Sequence, residues 1–88
     1  MTTPTDPLDA PADEAVQVEA AESELRRLGL DDIRVRHHGD LARLEAPHHD
    51  LAGMAAEPLR GEVLRAVRSA GFRSVAVDLE PVADPLDG

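Results

Sequence analysis

Arg34, Arg36, Arg43 and Glu45 lie within thirteen residues, 33–45 (IRVRHHGDLARLE), and are the side chains best able to do chemistry together. A guanidinium carries a fixed charge and a planar fork of donors that matches phosphate or carboxylate bidentately, so three of them on one surface would grip an anion. Whether they share a surface depends on the backbone that carries them. The run alternates apolar and polar residues on either side of Gly39-Asp40, the pattern of two strands joined by a two-residue hairpin loop. That loop pairs His38 with Leu41, His37 with Ala42, Arg36 with Arg43, Val35 with Leu44, Arg34 with Glu45 and Ile33 with Ala46. Parity then places Ile33, Val35, Ala42, Leu44 and Ala46 on one side and the charges on the other.

This register sets Arg36 directly against Arg43, and like charges opposed across a ladder cost up to about 1 kcal/mol. Something acidic must relieve the pair: Glu45, acidic residues of another strand, or a bound anion. The plain alternative is a set of ordinary solvated charges on the open face of a small sheet. His37-His38 and His48-His49 are not expected to make a metal site, because the strand neighbours His37 and His38 point to opposite faces and no zinc-type ligand spacing accompanies either pair. His37 is expected to be a partly buried residue near the turn and His38 a surface neighbour of the arginines. Phe72, the only aromatic residue, is expected in the core.

Composition narrows the function classes. With 88 residues and 9.4 kDa the chain forms at most one small domain, too limited in core for a deep multi-part catalytic cleft. A net charge of -9 and a pI near 4.6 argue against nucleic acid or an anionic membrane as partner. Cysteine is absent, which excludes disulfides and thiolate chemistry. No apolar run approaches the roughly 20 residues of a membrane span, and nothing resembles a signal peptide, so a cytoplasmic protein is expected. All nine basic residues are arginine.

The elements that must position the arginines are legible in outline. Residues 1–12 and 81–88, rich in Pro and Asp, read as flexible tails around a domain at 13–80. Val18, Ala21, Leu25 and Leu28 recur at helical spacing over residues 13–28, and Gly29 closes that helix. Pro47 opens a short helix carrying Leu51 and Met54. A longer helix over 57–70 carries Leu59, Val63, Ala66, Val67 and Ala70 on one stripe, with Gly71 after it. Residues 74–80 (SVAVDLE) alternate as a third strand whose outer face is acidic. The helix-to-strand passage at 25–35 is echoed at 67–77, too briefly to be a duplicated domain.

The order α-β-β-α-α-β predicts an α+β fold in which a small three-stranded antiparallel or mixed sheet carries its helices on one face. A right-handed crossover makes the second and third strands parallel. If the third strand lands beside the first, the sheet order is 2-1-3, Arg34 and Arg36 stand on the central strand, and Asp78 and Glu80 flank them. The core is expected to hold Ile33, Val35, Leu44, Val63, Val67, Val75 and Val77.

The run RVRHHGDLARLE, then a proline and short helix, then GFRSVAVDLE, resembles the C-terminal region of the LarE family. These are PP-loop proteins, ATP-dependent sacrificial sulfur transferases that help build the nickel-pincer cofactor. The corresponding family stretches look like an RVRxHG…ARIE hairpin and a GFxxVxLDLEG strand, and the likeness covers roughly residues 25–80. It implies an anion-contacting role for Arg34 and Arg36, phosphate or nucleotide being the candidate ligands, and a metal-binding role for Glu45 toward a divalent cation. The departures are as informative as the match: no SGGxDS-type nucleotide loop or doubly wound domain is present, no cysteine is available as sulfur donor, and PVADP replaces the family's continuation after the strand.

Together these features lead to the expectation of a non-catalytic module that binds an anion through Arg34, Arg36 and Arg43 or docks onto a separate PP-loop sulfur transferase subunit. Self-association through the charged face or a sheet edge is the alternative. An independent enzyme ranks last, because Glu45, Asp78, Glu80 and His38 have no evident nucleophile or pocket beside them.

Overall fold

A computed structural model of the protein describes residues 9–80, in the order α1 (Asp9–Arg27), β1 (Arg34–His38), β2 (Leu41–Glu45), α2 (His48–Met54), α3 (Leu59–Ser69) and β3 (Ser74–Val77). This is the expected α-β-β-α-α-β arrangement with a mixed three-stranded sheet. β1 and β2 are antiparallel, and β2 and β3 are parallel. α1 begins at Asp9, four residues before the start its apolar stripe suggests. Of the segments read as tails, 1–12 and 81–88, residues 9–12 belong to α1, and residues 1–8 and 81–88 lie outside the described residues.

The hairpin register is the one set by the sequence pattern: Arg34 faces Glu45, Val35 faces Leu44, Arg36 faces Arg43, His37 faces Ala42 and His38 faces Leu41. Gly39 has φ +62, while among the described residues none other than glycine has a positive φ. Glycine at the first central position of the loop therefore carries the one left-handed conformation a II′-type turn requires. The carbonyl of Asp40, the second loop residue, accepts the N–H groups of Arg73 at 2.9 Å and Ser74 at 3.2 Å. One turn thus fixes both the antiparallel pair and the start of the parallel one.

The sheet order is β1-β2-β3, so the third strand lies beside the second, parallel to it as the right-handed crossover requires, and the arrangement 2-1-3 that would follow from its landing beside the first does not occur. One position on the outer side of β1 is taken: the N–H of Val35 donates to Glu22 Oε2 of α1 at 2.9 Å. β3 joins the free side of β2 instead. The central strand is therefore β2, with Ala42 and Leu44 fully enclosed and Arg43 and Glu45 half-buried between neighbours. Asp78 and Glu80 follow the β3 edge and lie away from β1, so they do not flank Arg34 and Arg36.

The helices cover the face that carries Val35, Ala42 and Leu44. Ala21 and Leu25 of α1, Met54 of α2, and Val63, Ala66 and Val67 of α3 close over it, with Leu30, Ile33, Ala46 and Phe72 completing the core. The apolar stripes read from the sequence are the buried ones, their outermost members Val18, Leu28, Leu59 and Ala70 being partly covered. The third strand departs from expectation. It ends at Val77, Val75 is only partly buried, and Val77 is 39% exposed, because an edge strand has no neighbour beyond it. Gly71, at φ +107, ends α3 where Gln17 of α1 lies 2.6 Å from the position a Cβ would take, so a side chain there is opposed by both backbone and neighbour.

The contrast between the two branches of the sheet is measurable. Leu44→Ala removes a fully enclosed side chain and is expected to cost about 2–5 kcal/mol. Val77→Ala, at the open edge, should cost about 1 kcal/mol or less. Denaturant unfolding midpoints of the two variants check the register, and equal losses would contradict it.

Candidate functional site: the charged sheet face

On the helix-free face, alternation brings Arg34, Arg36 and His38 of β1 beside Leu41, Arg43 and Glu45 of β2. Ala76 stands next to Arg43 and Ser74 next to Leu41 on the β3 side. The three arginines and one glutamate singled out by type and spacing are therefore on one surface. The small side chains of β3 leave that surface open above Arg43.

Glu45 organises the group. Its Oε1 accepts a hydrogen bond from Arg36 Nε at 2.9 Å, and its Oε2 accepts one from Arg43 Nη2 at 2.9 Å. The carboxylate sits between the two guanidiniums that the register forces together, and it is the acidic partner their repulsion demands. The hydrogen bond from Arg36, the proximity of that charge, and the bond and charge of Arg43 hold the Glu45 carboxyl below its ordinary value of 4.5, against the opposing effect of partial desolvation. Arg34, directly opposite Glu45 in the register, makes no ion pair with a described residue. The Nε of Arg43 is enclosed without a hydrogen-bond partner among the described residues. Three guanidiniums thus face one carboxylate, and the uncompensated charge lies on the β1 side, where the Arg36 side chain is 54% exposed.

The histidines behave as the alternation requires. His37 turns to the helix side, where its Nε2 lies 2.8 Å from Gln17 Oε1 and its ring lies 5.2 Å from that of Phe72. His38 is exposed on the arginine face. His48 and His49 are exposed at the start of α2, the latter 3.5 Å from Asp50. Among the described residues no group of three His, Asp or Glu side chains converges as a metal site. Both oxygens of Glu45 already face guanidiniums, so its surroundings as arranged suit an arginine pair rather than a cation.

Two positioning residues escaped the sequence reading. Glu22 holds β1 by its Val35 N–H, and Gln17 links α1 to His37 and, through Nε2, to the Ala70 carbonyl at 3.4 Å. Both are single polar residues among many on α1, and their partners lie 13 to 53 positions away, so no local spacing marks them.

The hydrogen-bonded Glu45 carboxylate makes stability depend on acid. A folded-state value lowered below the unfolded one contributes stability that is complete above about pH 4.5 and is lost as pH falls through the lowered value. Glu45→Gln is accordingly expected to be less stable than the parent at neutral pH, with the difference vanishing at the acid end. Unfolding midpoints of both proteins across the acid range test this, and a pH-independent difference would contradict it.

With the geometry described, similarity to known proteins can be placed on it. No family model matches the chain. The protein is 42% identical over 67 residues to the pyridinium-3,5-bisthiocarboxylic acid mononucleotide synthase of Lactiplantibacillus plantarum, an alignment covering 76% of this chain and 24% of that enzyme. It is 38% identical over 64 residues to an uncharacterized protein of Synechocystis sp., covering 73% of this chain and again 24% of the other. The chain thus spans about a quarter of the length of the curated relatives it matches.

Proposed function

We propose that this domain is a binding module of the kind found in the C-terminal region of LarE-type sulfur transferases, and that Arg34, Arg36 and Arg43 form its anion-binding face. The observation that carries this reading is the Glu45 bridge: two guanidiniums are fixed side by side with a third adjacent, Arg34, that pairs with no described residue, on an open face of a protein that is otherwise strongly acidic. Preorganised guanidiniums lose less freedom when an anion arrives, and each offers donors that the carboxylate leaves unused.

The chemistry of the ligand follows from the donors. A phosphate fits a fork of guanidinium N–H groups, and the similar lactobacillar enzyme is named for a mononucleotide, which carries one. The reading extends to a phosphate-bearing substrate or nucleotide held on Arg34 and Arg36, with Arg43 serving as the second wall. No reaction is assigned to these 88 residues alone, because they hold no SGGxDS loop and no cysteine. A PP-loop sulfur transferase subunit is the partner on which such a module would act. A divalent cation at Glu45 would require Arg36 or Arg43 to swing aside and is not part of the reading.

The test is a thermal-shift titration with inorganic phosphate against chloride at fixed ionic strength. The melting temperature of the parent protein is expected to rise with phosphate concentration as binding to the folded state dictates. Arg34→Ala should abolish the rise while leaving the unliganded melting temperature nearly unchanged, since Arg34 has no ion-pair partner to lose. Arg36→Ala should abolish it too, and should also be mildly destabilising, by up to about 1 kcal/mol, because an exposed ion pair with Glu45 is lost. A parent melting temperature that ignores phosphate across the series would overturn the reading.

A further inference from the structure

The two edges of the sheet are treated differently. β1 carries two arginines and two histidines, and its outward Val35 N–H is occupied by Glu22. β3 is short, at four residues, but within it Ser74–Val77 holds no charge and no proline, and no described residue bonds its outer side. The N–H groups of Ser74 and Asp78 turn toward β2, bonding the carbonyls of Asp40 and Leu44 at 3.2 and 2.9 Å. Alternation therefore sends the N–H and C=O groups of Val75 and Val77 to the opposite, open side. That side is also largely apolar. Val77 and Leu79 are 39% and 88% exposed, and a groove of about 290 Å³ runs under the edge between Met54, Ala55, Val63, Leu64, Val75 and Val77, with Arg60 as its one charged wall.

We propose that β3 is a self-association edge on which a second copy of this chain adds antiparallel across a two-fold axis at Ala76, giving one continuous sheet in the order β1-β2-β3-β3′-β2′-β1′. The register is dictated by which groups point outward. Centring the axis on Ala76 sets Val75 opposite Val77 of the second copy, so each exchanges both its backbone bonds with the other, and neither Ala76 is asked for bonds it has already given to β2. The direction is dictated by charge. Arg73 precedes the strand and Asp78 and Glu80 follow it, so antiparallel addition lays the basic end of one strand along the acidic end of the other. Parallel addition would align like with like. A two-fold contact is self-complementary, joins the two grooves, and brings the exposed Val77 of each copy against Val75 of the other. The edge is separate from Arg34 and Arg36, so this inference and the anion-binding reading stand or fall independently.

The experiment uses the full chain. Sedimentation velocity over a concentration series is expected to show a monomer–dimer equilibrium, and Val77→Lys, with an unchanged circular dichroism spectrum, is expected to sediment as monomer. Because the chain contains no cysteine, Ala76→Cys provides a second readout that does not depend on the fold of the lysine variant. Facing Cα atoms at a non-hydrogen-bonded antiparallel pair are about 4.5 Å apart, within disulfide reach, so Ala76→Cys should oxidise to a covalent dimer much faster than an Ala52→Cys control on exposed α2. A parent chain that stays monomeric throughout the series overturns the proposal, and so does a dimer in which Ala76→Cys cross-links no faster than the control.

Discussion

The two-residue turn at Gly39-Asp40 is the constraint on which the rest of the molecule depends. Side chains alternate along a strand, so a slip of one residue would carry Val35 and Leu44 to solvent and the arginines into the core. The left-handed Gly39 holds the slip at zero, and the Asp40 carbonyl passes the same register on to Arg73 and Ser74. A single loop thereby decides which face is apolar, where the charges collect and how the last strand is aligned.

The same register creates an electrostatic problem and places its answer two residues away. Arg36 and Arg43 must face each other, and Glu45, on the same side of β2 as Arg43, reaches both. The carboxylate does not cancel the group. It converts two mobile cations into a fixed pair and leaves Arg34 as the charge without a partner among the described residues. A surface assembled in this way is held together without ligand and retains unused donors, which differs from a cluster that needs an anion in order to exist.

How much of this could be read from the chain depends on the range of each interaction. The hairpin, its register, the shared face of Arg34, Arg36, Arg43 and Glu45, and the buried stripes of α1 and α3 are all encoded by neighbours in sequence, and the structure has them. The strand order is not so encoded. It goes with contacts such as that of Glu22 at the edge of β1, made across 13 positions by a residue that resembles any other glutamate on an amphipathic helix. The same gap misplaced Val77, whose alternation is that of a core residue but whose strand lies at the rim, and Asp78 and Glu80, which follow it there. Periodicity tells which way a side chain points; it does not tell what stands in front of it.

The seal that Glu22 places on β1 also bears on how far such sheets can grow. Strands with two receptive sides can add copies indefinitely, which is the geometry of fibres. Here growth has a terminus: whatever adds to β3 meets, on the far side of each copy, an edge whose Val35 donor is engaged by a carboxylate from its own helix and whose strand is crowded with charge. For the pairing proposed at β3, this one part-buried hydrogen bond would separate a closed assembly from an open-ended one, and it is made by an acidic residue of modest local interest.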